Sequence, residues 1–255
     1  MSIDLFKELC NLGHRIFTSK EAFIAASNIK IKKSYVIEAL HHLKNKEFIF
    51  QIKNGLYAIN QQFLPGPPLH EYEIGMHLAN PSAICCFSAM QYHHITDQTS
   101  RVIYLMTRWG EEQSKLSIYR YQISGIKYYF IRSKPELYFG ITEEWIGETS
   151  FMITDLERTL VDGLVRPKHC GGMREVISAF TLAQDKLDIE KIITYAKKFG
   201  VTICKRLGFI LEQLNIESNL LAELKNMKLR GFAKLDPSGA RSGRCNNEWK
   251  ILENI

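Results

Sequence analysis

The sequence predicts an α+β protein: an N-terminal winged helix-turn-helix followed by a larger mixed α/β C-terminal domain. Three observations carry that expectation. Residues 1–64 hold three helix-periodic stretches and then two short apolar runs, Phe48 to Ile52 and Leu56 to Ile59, joined across Asn54-Gly55. Asn-Gly between apolar runs is the strongest short hairpin signal, expected as a type I′ turn with both central residues at positive φ. The stretch Pro65-Gly66-Pro67-Pro68 follows, and neither a helix nor a central strand absorbs that composition. Beyond it, strand candidates come in one run and helix candidates in a second, the pattern of an α+β domain. The expected division is a DNA-binding domain over 1–64, a linker over 65–68 and a second domain over 69–255.

Taken in order, Ile3, Phe6, Leu9 and Cys10 recur at helical spacing and stop near Gly13. Arg15-Ile16-Phe17 reads as a short extended piece. Thr18-Ser19-Lys20-Glu21 is a capping-box pattern, so a second helix is expected from about residue 19 to 27. A third helix carries Val36, Ala39, Leu40 and Leu43 on one face, and the hairpin closes the module. In the second domain, helices are expected over Tyr72–Ala79 and Ser88–His93. Strands are expected over Arg101–Met106, Ser117–Gln122, Ile126–Ile131 and Ser150–Ile153, with a turn at Ile123-Ser124-Gly125. Helices follow near 155–165, 173–182, 188–198 and 202–214. Asp236 to Arg244 reads as a loop, and Trp249 to Leu252 as a final strand.

Composition bounds the class. At 255 residues the chain can form two domains, and its 45% hydrophobic and 24% charged residues are ordinary for a globular protein. The net charge of +6 favours a polyanionic partner. Residues 1–64 hold nine Lys/Arg against five Asp/Glu, a balance of +4. The six cysteines show no C-x-x-C pair, and Cys85 and Cys86 are sequence neighbours, a poor geometry for bridging each other; free thiols in a reducing compartment are expected. Asp4, Lys7 and Glu8 break up the first apolar residues, and no stretch approaches the ~20 apolar residues of a membrane span, so a cytoplasmic location is expected.

The candidate DNA-binding residues follow from the third helix. With Val36, Ala39, Leu40 and Leu43 facing the core, Ser34, Glu38, His41 and Asn45 point the other way. Lys30, Lys32 and Lys33 cluster at the helix start, where backbone N–H groups favour phosphate. Lysines there give affinity and register, whereas Ser34, Tyr35, Glu38 and His41 are placed to meet base edges. Lys53 and Asn54 at the hairpin tip suit a backbone or minor-groove contact. In the second domain, Arg241 and Arg244 in a glycine-rich loop before Trp249 form a possible second nucleic-acid or partner contact.

The order of motifs resembles the AbiEi family of type IV toxin–antitoxin systems, over roughly residues 5–215. The resemblance is carried by Asn54-Gly55-Leu56-Tyr57-Ala58-Ile59, by Asn80-Pro81-Ser82 with Ser88-Ala89-Met90…His93-His94-Ile95-Thr96, by Thr154-Asp155-Leu156-Glu157-Arg158, and by Arg206 to Glu212. His94 stands where that family usually has glycine. The resemblance implies a transcriptional autorepressor whose C-terminal domain counteracts a cognate nucleotidyltransferase-like toxin without the need for a stable complex. A single winged helix covers one half-site, so double-stranded DNA with an inverted repeat is the expected partner.

Other classes are weaker. Asp155, Glu157 and Asp162 invite a nuclease or metal reading, but Asp155 as a helix cap, Glu157 in a favourable first turn and Arg158–Asp162 as an i,i+4 pair account for them. Glu157 is followed by Arg158 and Thr159 where a nuclease of the PD-(D/E)-x-K type needs lysine. His77, His93 and His94 have no cysteine or acidic partner at ligand spacing. No catalytic residue, metal or cofactor is expected. The remaining alternatives are a stand-alone transcription factor with a ligand-sensing or dimerisation domain, and a nuclease directed to DNA by its N-terminal domain.

Overall fold

The computed structural model describes residues 1–108, 120–123, 125–216 and 218–255. The chain is a mixed α/β protein that divides into two compact units, Met1–His77 and Leu78–Ile255.

In the first unit the element order is α1 (Ser2–Asn11), β1 (Ile16–Thr18), α2 (Ser19–Asn28), α3 (Lys33–Asn45), β2 (Ile49–Lys53) and β3 (Leu56–Ile59). The capping box is present: the Glu21 backbone N–H donates to Thr18 Oγ1 at 3.2 Å while the Thr18 N–H donates to the Glu21 carboxylate at 2.6 Å. Helix α3 buries Val36, Ala39, Leu40 and Leu43, the face that helical spacing predicts. These pack with Leu5, Leu9, Phe17, Ala22, Ala25, Ile49 and Ile59 into a core of the unit's own. The three strands pair antiparallel in the order β1-β3-β2.

Two expectations change here. The hairpin forms, but its turn is not type I′: Gly55 sits at φ +75° while Asn54 is absent from the residues at positive φ. A register irregularity between Gln51 and Lys53 sets the turn instead, and the Ser19 N–H donates to the Gly55 carbonyl at 2.9 Å, so the tip answers to the start of α2 as well as to its own strands. The domain boundary also lies beyond 65–68. The Arg15 guanidinium donates to the Pro67 carbonyl at 2.7 Å and pairs with Glu73 at 3.5 Å, which fastens the proline stretch and most of α4 (Glu71–Leu78) to the first unit.

The second unit is built on a mixed six-stranded sheet. Its strands are β4 (Ser82–Ile84), β5 (Val102–Arg108), β6 (Arg120–Ile123), β7 (Ile126–Ser133), β8 (Ile141–Ile146) and β9 (Thr149–Thr154), in the order β6-β7-β5-β4-β9-β8. Helix α5 (Cys86–Tyr92) follows β4, and α6 (Leu156–Val165), α7 (Met173–Ala183), α8 (Ile189–Phe199) and α9 (Val201–Gln213) follow the sheet. Their apolar faces meet Met106 and Ile131 of the sheet in one cluster that includes Leu160, Phe180, Ile192, Leu207 and Trp249. Helix α10 (Asn219–Asn226) and a small sheet of β10 (Ala233–Lys234), β11 (Arg244–Asn246) and β12 (Ile251–Glu253) complete the unit. Sequence reading missed β4, β8, β10, β11 and α10. Of the expected strand Ser117–Gln122, residues 117–119 lie outside the described residues, as does Ser124 of the turn between β6 and β7. All six cysteines are free. Among the described residues no helix is long and apolar enough to cross a membrane.

Candidate nucleic-acid interface

The turn between α2 and α3 is a compact helix stop. The Ile31 N–H donates to the Ala26 carbonyl at 2.9 Å and the Lys30 N–H to the Ser27 carbonyl at 3.1 Å, with Lys30 itself at φ +56°. Lys32 then serves as the N-cap of α3, but its side chain caps nothing, and the first turn of α3 holds no acidic residue. Helix α2 closes its N-terminus with a side-chain capping box; α3 has no side-chain cap, its Tyr35 N–H turning back to the Lys32 carbonyl at 3.0 Å, and Lys30, Lys32 and Lys33 are all exposed around its start. A helix start of this kind presents both dipole and charge to an anion.

Along α3, Ser34, Tyr35, Glu38 and His41 are exposed, together with Ile37 at 58%. At 1.5 Å per residue, Ser34 and His41 are about 10 Å apart along the helix axis, a span suited to three or so base pairs. The Asn45 amide lies 3.2 Å from His41 Nδ1, so the C-terminal end of this face is a polar pair rather than two independent groups. Beside it, Lys44 donates to the Gln51 side chain at 3.1 Å across a cleft of about 640 Å³ lined by α3 and the hairpin. At the tip Asn54 is exposed, whereas Lys53 is half-buried and burial pushes its ammonium below the ordinary lysine value. Lys53 is therefore the less available of the two. With the boundary at residue 77, the first unit holds nine basic and seven acidic residues. Its net charge is +2 and the second unit's +4; the expected concentration of charge in the N-terminal domain is local to α3, not a property of the unit.

No family model matches the sequence, and no curated protein matches it. Among solved structures, the chain is similar to the crystal structure of the RV2827C protein from Mycobacterium tuberculosis, with a TM-score of 0.69 and 10% identity over 98% of this chain and 90% of that one. At that identity the likeness is one of fold.

The carboxylates that invited a catalytic reading are engaged in the second unit's own framework. Asp155 caps α6 by accepting from the Arg158 N–H at 2.8 Å, and its other oxygen accepts from the Tyr195 hydroxyl at 2.9 Å. Glu157 accepts from the Asp188 N–H at 3.1 Å and pairs with Lys191 at 2.8 Å. Burial works against the Lys191 ammonium, but Glu157 and Asp155 together hold it above the ordinary lysine value. Arg158 and Asp162 pair at 3.1 Å with both side chains fully buried, and burial raises the Asp162 carboxyl to about 6 against the pull of Arg158. His93 lies 2.7 Å from the Thr154 carbonyl. Among the described residues no group of three or more His, Cys, Asp or Glu could hold a metal ion.

The second contact expected at Arg241 and Arg244 changes in kind. Both arginines are exposed, with Arg244 opening β11, but Trp249 is fully buried and unavailable for stacking a base. Its ring lies so close over Gly208 of α9 that an added Cβ there would sit 2.1 Å from it, and its indole N–H donates to Glu212 at 2.6 Å. The basic residues the fold does gather are Lys205, Lys225, Lys228, Arg230 and Lys250, which line one cleft. Only the run Lys225-Asn226-Met227-Lys228-Leu229-Arg230 hints at this in the sequence; Lys205 and Lys250 arrive through packing.

Proposed function

We propose that the protein is a DNA-binding transcriptional autorepressor whose first unit is a winged helix-turn-helix, α3 being its recognition helix and the β2–β3 hairpin its wing. The observation that carries this reading is the start of α3: an N-terminus without a side-chain cap, flanked by exposed Lys30, Lys32 and Lys33, in a unit whose sheet order is β1-β3-β2. The lysines and the uncapped helix start take phosphate, and Ser34, Tyr35, Glu38 and His41 face the bases, with Asn54 at the wing tip. Residues of the AbiEi type support the further proposal that the protein is a type IV antitoxin, acting in the cytoplasm against a nucleotidyltransferase-like toxin. We assign it no catalytic step.

The test is the salt dependence of binding to double-stranded DNA carrying the protein's own promoter. Three phosphate contacts account for about 2.7 in the slope of log affinity against log salt. The Lys30→Ala/Lys32→Ala/Lys33→Ala variant is expected to lose that much slope and to release repression, yet still to rescue cells expressing the toxin. An unchanged slope would rule out α3 as the reading element, and failure of the wild-type chain to rescue would rule out the antitoxin role.

A further inference from the structure

A second basic site lies in the second unit, built from residues far apart in sequence. The cleft has a volume of about 620 Å³ and is lined by Lys205, Lys225, Lys228, Arg230 and Lys250, with Glu248 its one acidic residue. That volume falls in the range of small-ligand sites. The acidic side is already used: Lys225 pairs with Glu248 and, at 2.9 Å, with Glu212. Among the described residues, Lys205, Lys228, Arg230 and Lys250 have no carboxylate partner.

Lys205 makes the site more than a surface patch. It is 1% exposed, and its hydrogen bond is to the Lys225 carbonyl at 2.6 Å. A buried ammonium without a counter-charge is costly unless something supplies one. Burial, with Lys250 adding repulsion, pushes Lys205 below the ordinary lysine value. An anion in the cleft reverses both effects. Beside the cleft, the Lys250 ammonium stands 5.4 Å from the centre of the Phe232 ring, which is 42% exposed. Cations that track phosphate next to an open aromatic face are the elements of single-strand and nucleotide recognition.

We infer that this cleft binds the phosphates of a nucleotide, free or within one strand of nucleic acid, through Lys228, Arg230 and Lys250, with Lys205 as the fixed charge in its wall and Phe232 as the stacking face for a base. Arg230 supplies the planar, bidentate contact and the lysines point charges.

Fluorescence and calorimetric titration of the full chain test this with three probes: an oligouridylate octamer, ATP without magnesium, and tripolyphosphate. Lys228→Ala/Arg230→Ala, both at exposed positions, is expected to weaken nucleotide binding at least tenfold. For the octamer the salt slope should fall by about 1.4, the share of two single-strand phosphate contacts. Phe232→Ala is expected to weaken nucleotide binding about tenfold while leaving tripolyphosphate unchanged. Binding of the octamer identifies a strand as the source of the phosphates; binding of ATP without the octamer identifies a free nucleotide. The inference is overturned if neither binds at low salt, if the double variant binds as the wild type does, or if binding is lost instead in Lys30→Ala/Lys32→Ala/Lys33→Ala.

Discussion

Asp162 and Arg158 stand one helical turn apart on α6 with both side chains fully buried, and Arg158 Nη1 donates to the carbonyls of Leu137 and Phe139. Neither oxygen of Asp162 has a well-aligned hydrogen bond, so burial dominates its titration and the carboxyl rises to about 6. A carboxyl whose folded pKa exceeds its unfolded value favours the folded state when protonated. Its contribution is fully present below pH ~4 and is lost as pH rises toward about 6, a loss on the order of 3 kcal/mol at most. Urea midpoints of the wild type should therefore carry this downward component between pH 4 and 6.5, and Asp162→Asn should remove it; equal profiles for the two proteins would show that Asp162 is ionised throughout. The i,i+4 pair and the Asp155 cap were legible in the sequence because both are local. The partner of Glu157 was not, since Lys191 lies on another helix.

The same distinction governs the elements. The capping box of α2, the buried face of α3 and helices α6 to α9 follow from residues a few positions apart, and sequence spacing locates them. Strands β4 and β8 escaped because β4 spans Ser82–Ile84 alone and β8 is an edge strand that carries charge and an exposed Trp145. The hairpin was legible as a hairpin but not as a turn type, because the Gln51–Lys53 irregularity and the bond from Ser19 are tertiary facts. The α2–α3 stop shows the limit most clearly. A left-handed position at a helix end calls for glycine, yet Lys30 holds it at φ +56°. Left-handed backbone costs a side-chain-bearing residue about 1–2 kcal/mol, which the extra unfolded-state freedom of glycine partly offsets. Lys30→Gly is thus expected to stabilise the first unit by about 0.5 kcal/mol while weakening DNA binding. A stability loss, read by urea denaturation, would show that the lysine side chain is itself structural.

At the scale of the whole chain, each unit holds a core of its own, one centred on Leu40 and Phe17, the other on Leu207 and Phe180. Independent cores predict independent melting. Calorimetry should resolve two transitions, and Lys30→Gly should shift one of them and leave the other in place; a single transition that moves as a whole would refute this. Counted over the two compact units, the charge divides as +2 and +4; the basic cleft of the second unit escaped sequence reading for a different reason, since Lys205 and Lys250 join Lys225, Lys228 and Arg230 only through packing. The open start of α3 has a further consequence in the unliganded protein. A first turn without caps frays readily, so its amides should exchange with solvent far sooner than those of α2, which its capping box closes. Whatever anion settles there completes the helix as it binds, and part of its affinity is then repaid as order in the chain.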